Sequence, residues 1–258
     1  MTKIAIVNLA NPLKKLNNTL KSKIDNIKNF VFVDYTGNEN DYLEQFHNAL
    51  RDKTIDVIWF LCGGTNCIKT VNLINWNLVS KSKVIFLGSS DITHFFLFSQ
   101  KNSSQKFYYF SNFVDFGVNL NEISLSKLFL LLKKKTLNLR FKNKTISLDT
   151  GSANIVGGHS IISSLFVNKL SLSLNKKNYY FWEHHGNFET VQMYQYWLEV
   201  LKFNCKNLRI KNIILGNSLV YEDNIKIDFD QQYKIAKEIL SETVVYTQEQ
   251  AQIPIPIL

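Results

Sequence analysis

The stretch Lys83-Val84-Ile85-Phe86-Leu87-Gly88-Ser89-Ser90-Asp91-Ile92-Thr93 decides how the rest of the chain is read. An apolar run stops abruptly at small residues, and apolar side chains then return at helical spacing over 92–98. This order predicts a strand, a sharp turn and a helix. A serine at such a turn can be held out from the sheet end with its hydroxyl exposed, and Gly88 relieves crowding two positions earlier. Ser90 is therefore a candidate nucleophile. The same residues also suit an ordinary strand-to-helix connection in which Ser89, Ser90 or Asp91 merely caps the helix.

Working outward, short apolar runs at 4–7, 30–33, 55–61, 84–87 and 107–110 read as strands. Helical patterns lie between them: residues 41–52 place Leu43, Phe46, Ala49 and Leu50 on one face. Strict alternation of strand and helix implies an α/β fold with a parallel sheet covered on both faces, whose ligands bind at the carboxyl ends of the strands. Ser90 sits at such an end. So does Cys62-Gly63-Gly64-Thr65-Asn66, where a glycine pair would let backbone N–H groups approach a ligand as an oxyanion hole requires. A tight turn explains the pair equally, and the segment is too short for a P-loop and lacks GxGxxG spacing.

From 128 to 150 the pattern turns irregular and basic, which predicts an inter-domain connection. Beyond it Asn154-Ile155-Val156-Gly157-Gly158-His159 leads into a small helix, and a strand over 179–182 ends at Glu183. A helix near 189–202, a strand over 210–215 ending at Gly216, a helix near 229–240 and a last strand over 253–258 complete the pattern. The expected organisation is a nucleophile-bearing domain over 1–135, a linker over 136–153 and a second domain over 154–258.

The chain has 258 residues, 45% hydrophobic and 13% aromatic, enough for a sizeable core. It shows neither a signal-peptide pattern nor an apolar run long enough to span a bilayer, so a soluble cytoplasmic protein with no membrane partner is expected. The three cysteines, Cys62, Cys67 and Cys205, have no metal-ligand spacing and suggest neither disulfides nor zinc. Although the formal charge is +9, the lysines are scattered. The one tight run, Lys133-Lys134-Lys135, follows an apolar helical pattern and suits the helix dipole, so no nucleic-acid partner is expected.

Four stretches in order resemble the serine LD-carboxypeptidase family, which includes the microcin C self-immunity peptidases. Gly63-Gly64-Thr65-Asn66-Cys67 is similar to the family's Gly-Gly segment, and Gly88-Ser89-Ser90-Asp91-Ile92-Thr93 to its Gly-aromatic-Ser-Asp-(Ile/Val)-Thr nucleophile motif. Asn154-Ile155-Val156-Gly157-Gly158-His159 resembles the turn opening its second domain, and Tyr180-Phe181-Trp182-Glu183 the strand that delivers its catalytic glutamate. Ile210-Lys211-Asn212-Ile213-Ile214-Leu215-Gly216 resembles a further family strand, so the similarity runs over nearly the whole chain. The resemblance implies a flavodoxin-like parallel-sheet N-terminal domain, a swivelling β/β/α C-terminal domain and an active site between them. It also implies a Ser-Glu-His triad in which Ser90 is the nucleophile and Glu183 orients the histidine, with the backbone amides of Gly64 and Asp91 as oxyanion donors. A peptide-like small substrate, either a muropeptide or a peptidyl-nucleotide, and pairing as a homodimer are implied too, with no cofactor and no metal.

Two residues depart from the family pattern: Ser89 replaces the usual aromatic, and Cys62 stands where many members have a basic residue. The family's catalytic histidine lies in a Gly-His segment just beyond the strand that Ile253-Pro254-Ile255-Pro256-Ile257-Leu258 resembles, so the expectation is a chain truncated before it. His184 and His185 adjoin Glu183, but neighbours on a strand face opposite sides and neither can easily bond Glu183 while reaching Ser90. His159 suits a cap or the surface, His47 and His94 suit helix packing or solvent, and His184, His185 and Glu189 form no HExxH site. The expected function is thus amide hydrolysis by a serine peptidase fold, impaired for want of a base. The alternative is a non-catalytic homologue that binds a peptide or nucleotide-peptide ligand.

Overall fold

Ile4-Ala5-Ile6-Val7 and Val57-Ile58-Trp59-Phe60 carry no polar side chain on either pleat face, which suits strands in the middle of a parallel sheet. A computed structural model of the chain describes residues 1–11, 15–37, 40–99, 106–117, 120–133, 136–141, 144–149, 155–156, 179–208, 212–241, 244–246 and 255–257. The chain divides into two units, Met1–Leu137 together with Ala251–Leu258, and Asn138–Gln250. In the first unit β1 (Thr2–Val7) lies between β2 (Phe30–Tyr35) and β3 (Val57–Phe60), and β4 (Ile85–Gly88) and β5 (Lys106–Tyr109) follow beyond β3. Their pairings are all parallel, and the order 2-1-3-4-5 is the flavodoxin-like one. Winding reverses between β1 and β3. In such sheets the loops at the carboxyl ends of those two strands open the crevice that takes ligands.

The connecting helices are α1 (Asn18–Asp25), α2 (Tyr42–Arg51), α3 (Cys67–Thr70), α4 (Trp76–Lys81), α5 (Thr93–Ser99), α6 (Phe113–Phe116) and α7 (Glu122–Leu132). Because successive strand residues face opposite ways, Trp59 and Phe60 anchor different layers. Trp59 packs with Phe110, Phe113 and Phe116 in a cluster that includes Leu20 of α1 and Leu125 and Leu128 of α7. Phe60 meets Phe46 of α2 and Phe95 and Phe96 of α5. Burying each such ring contributes about 1.5–3 kcal/mol, so both helical layers are held to the sheet through one dipeptide. On α2, Phe46, Ala49 and Leu50 are buried, Leu43 is half-buried, and His47 is buried beside them. Its Nε2 accepts the Asn75 N–H at 3.1 Å.

The last strand differs from expectation. Residues 253–258 read as the closing strand of the second domain, but β13 (Ile255–Ile257) pairs antiparallel with β5 and so completes the first sheet. Pro256, opposite Tyr108, has no N–H to give, which an outermost strand tolerates. The linker expected over 136–153 is also more structured than its irregular pattern suggests, since β6 (Thr136–Phe141) and β7 (Lys144–Asp149) pair as a two-stranded sheet.

The second unit's main sheet has β9 (Tyr179–Thr190) between β8 (Ile155–Val156) and β10 (Asn212–Glu222), all parallel, with β12 (Val244–Tyr246) parallel to β10. The short β11 (Ile225–Lys226) folds back antiparallel on β10 through Asp223 and Asn224, whose φ angles of 48° and 65° are those of a tight hairpin turn. Two helices, α8 (Val191–Leu208) and α9 (Phe229–Leu240), pack on each other and on this sheet. The buried Tyr194 hydroxyl of α8 donates to the Gln232 carbonyl of α9 at 3.4 Å. Together the sheets and helix pair form the expected β/β/α domain. Among the described residues no helix is long and apolar enough to cross a membrane.

His47 makes the first unit sensitive to mild acid. Burial is the main cause that holds its imidazole below the ordinary value of about 6.5, with Arg51 adding to the effect and Glu44 opposing it. A depressed histidine binds its proton more readily in the unfolded chain, so its contribution is complete above about pH 6.5 and is lost as pH falls below that. Between pH 7.5 and 5.5 the thermal midpoint of the native chain should drop further than that of His47→Gln. Equal drops would contradict this assignment.

Candidate active site

Three loops meet at the carboxyl end of the first sheet, after β1, β3 and β4. Ser90 opens a 3-10 turn, Ser90–Ile92, that leads into α5, and its φ of 59° lies in the left-handed region. A side chain there costs roughly 1–2 kcal/mol, so the surroundings must hold it. Ser89 before it is extended, with φ −147° and ψ −177°. The Thr93 hydroxyl donates to the Ser90 carbonyl at 2.7 Å, and Ile92 N–H reaches the Ser89 carbonyl at 3.3 Å. The Ser90 hydroxyl is left at the exposed crest, and no hydrogen bond to it is found among the described residues.

Asp91 is buried and its carboxylate joins the turn to two neighbours. Oδ2 accepts the Cys67 N–H at the start of α3 at 2.8 Å, and Oδ1 lies 3.0 Å from His94 Nδ1. Since Nδ1 also faces the Asp91 carbonyl at 3.0 Å, and both oxygens are acceptors, Nδ1 carries the proton. The backbone N–H groups of Ile92 and Thr93 close the turn's hydrogen bonds, and those of Ser90 and Asp91 precede them at the start of the turn.

The glycine pair comes to the same place for two different reasons. A Cβ on Gly63 would lie 2.8 Å from both Cβ and Oγ of Ser90, so the Ser90 side chain occupies the room that Gly63 leaves. A Cβ on Gly64 would lie 2.2 Å from the Ala10 carbonyl oxygen, which accepts the Thr65 and Asn66 N–H groups at 3.2 and 3.1 Å. Gly64 is therefore required by close backbone approach across the β1–β3 crevice. Cys62 is buried with Sγ 3.8 Å from Asn8 Oδ1, and the Cys67 thiol is pushed well up by burial and by the Asp91 carboxylate, which makes it a poor nucleophile.

Two neighbours escape a reading of the motif alone. Asn112, after β5, accepts the Ser89 N–H at 3.1 Å and donates to the Ser89 carbonyl at 3.4 Å. The Asp91–His94 pair has the i,i+3 helical spacing that could have betrayed it, whereas Asn112 acts 23 residues away and leaves no local signal. Glu183 belongs to β9 of the second unit, and the strand does not end there as its resemblance suggested but runs on to Thr190. The pairing with β10 shifts register between Leu215↔Trp182 and Ser218↔His184, so Glu183 falls at an irregularity in the pairing. His184 and His185 share β9, and His159 lies outside the described residues.

Residues 4–109 match the family model described as the LD-carboxypeptidase N-terminal domain. That match lies within the first unit. No curated protein sequence matches it. Among solved structures the wild-type apo form of the microcin C7 self immunity protein MccF is similar over 99% of this chain and 91% of its own, with a TM-score of 0.73 and 14% identity. The muramoyltetrapeptide carboxypeptidase from Oxalobacter formigenes covers 99% and 92%, at 0.74 and 16%. An MccF-like protein from Bacillus anthracis str. Ames gives 99% and 91%, at 0.69 and 14%. At these identities the likeness establishes that the chain shares the fold of these structures.

Gly64→Ala should lower the stability of the first unit by about 1–3 kcal/mol, because the methyl meets backbone rather than a side chain that can swing away. Chemical denaturation checks this. An unchanged midpoint would contradict the close approach of Ala10.

Proposed function

We propose that the protein hydrolyses an amide bond of a peptide-like small molecule through an acyl-enzyme on Ser90. The observation that carries this reading is the left-handed φ of Ser90 at a strand-to-helix turn, with its hydroxyl exposed and packed against Gly63. Such strain at a non-glycine residue is kept where it presents a reacting group. The Ser90 hydroxyl attacks the carbonyl carbon, the carbonyl oxygen takes the negative charge between the amides of Gly64 and Asp91, and the amine departs with a proton. Water then releases the acyl group from Ser90 by the same path.

The hydroxyl needs a base. In this reading an imidazole oriented by Glu183 takes the proton, completing a Ser-Glu-His triad. Of the five histidines in these 258 residues, His47 is committed to Asn75 and His94 to Asp91. Neither is offered to Ser90. These 258 residues are therefore expected to turn over slowly, and adding a family-like Gly-His tail tests whether a further imidazole supplies the base.

Support for the substrate class comes from the structural neighbours. MccF is known in complex with aspartyl sulfamoyl adenosine, with glutamyl sulfamoyl guanosine and, as a mutant, with adenosine monophosphate. An aminoacyl or peptidyl nucleotide and a muropeptide are accordingly the two substrates to compare.

Three proteins should be assayed on both substrates: this chain, its Ser90→Ala variant, and a version extended with a Gly-His tail. The extended chain should hydrolyse one of them, and the unextended chain should fall short by several orders of magnitude, since losing the histidine of a triad costs on the order of a millionfold. Brisk hydrolysis by the unextended chain that Ser90→Ala abolishes would overturn the base assignment. Hydrolysis indifferent to Ser90→Ala would overturn the nucleophile. Binding without turnover in all three would favour the non-catalytic homologue.

A further inference from the structure

We propose that Asn112 is a positioning residue for the nucleophile, the group that fixes Ser89 so that Ser90 is driven into its left-handed turn. The proposal rests on the assignment of Ser90 as nucleophile. Asn112 stands at the N-cap of α6, where an asparagine ordinarily turns its side chain onto the first amides of its own helix. It makes no such bond. Its amide is instead directed across to Ser89, accepting the N–H at 3.1 Å and donating to the carbonyl at 3.4 Å.

The position of this clamp explains its use. The last backbone bond of the β4–β5 ladder runs from Phe110 N–H to the Gly88 carbonyl at 2.9 Å, after which the two chains part. The side chain of Asn112 supplies a further rung, holding Ser89 extended one residue beyond the ladder. Ser90 then has to reverse direction within a single residue to enter its 3-10 turn, and the left-handed region is the conformation that does so. Asn112 is only 2% exposed, so its two bonds are protected from water. Its Nδ2 also lies 3.6 Å from the place a Cβ on Gly63 would occupy, which puts the clamp beneath both the nucleophile turn and the glycine pair.

The test reads the chemistry of position 90 without needing turnover. In the Ser90→Cys variant of this chain, the rate of alkylation by iodoacetamide is followed against pH, with the unaltered chain as background for Cys62, Cys67 and Cys205. Where turn amides gather around the side chain, the thiol should titrate well below the ordinary value of about 8.5. Adding Asn112→Leu should return the profile to that ordinary value and slow alkylation at pH 7 by about tenfold, a factor for each unit of displacement. Asn112→Ser, which can keep one of the two bonds, should move the profile the same way by less, and it serves if the leucine variant does not fold. Asn75→Ala removes an asparagine that does cap its own helix, and should lower the thermal midpoint while leaving the profile in place. A profile that stays low in both Asn112 variants would overturn the proposal and leave the nucleophile assignment standing. An ordinary thiol already present in Ser90→Cys alone would overturn the nucleophile assignment itself.

Discussion

A serine held at φ 59° between an extended residue and a helical turn is the constraint on which the rest of the first unit converges. The conformation is unfavourable for any side chain, and its neighbours are arranged to outweigh that cost. Thr93 takes the Ser90 carbonyl, Asn112 takes both backbone groups of Ser89, and Asp91 ties the turn to the start of α3 through Cys67 N–H. Each of these bonds is worth about 1 kcal/mol in a buried setting, so any two offset the strain. What results is a fixed backbone on either side of the Ser90 side chain.

The sheet places this turn where chemistry can use it. The strand order puts the loops after β1 and β3 on either side of a crevice, and the close contact of Gly64 with Ala10 draws them together. Gly63 yields its side-chain space to Ser90. Two glycines that a sequence reader would assign to one turn thus answer to two different neighbours, one on β1's loop and one on β4's. The aromatic layers on the two faces, divided at Trp59 and Phe60, keep β3 and β4 from shifting and so keep the loops in register.

Much of this was legible before any coordinates. Apolar runs with β-branched and aromatic residues mark β1 to β5 because buried parallel strands need apolar side chains on both faces, and the helix 229–240 is expected from its pattern, its Asp228–Gln231 capping box emerging only with the structure. The motif around Ser90 could be seen, but its φ angle could not, because the residues that impose it lie far away in sequence. Asn112 is the plainest case: nothing adjacent to it signals a partner 23 residues earlier. The final strand misled for a related reason. A short apolar segment with two prolines declares itself an edge, yet which sheet it edges is decided by long-range pairing, here with β5. The extension of β9 past Glu183 was hidden because the polar residues that follow resemble a loop and are held in the strand by pairing with β10.

The central claim is that Ser90 and the amides of Gly64 and Asp91 converge on one tetrahedral centre. A crystal structure of the chain with an amino-acid-derived boronic acid tests it most directly, since boron takes up a serine oxygen and mimics the intermediate. The account predicts a tetrahedral boronate on Ser90 Oγ with one oxygen about 3 Å from both amides. A boronate bound elsewhere, or bonded to Ser90 with its oxygens turned away from Gly64 and Asp91, would contradict it.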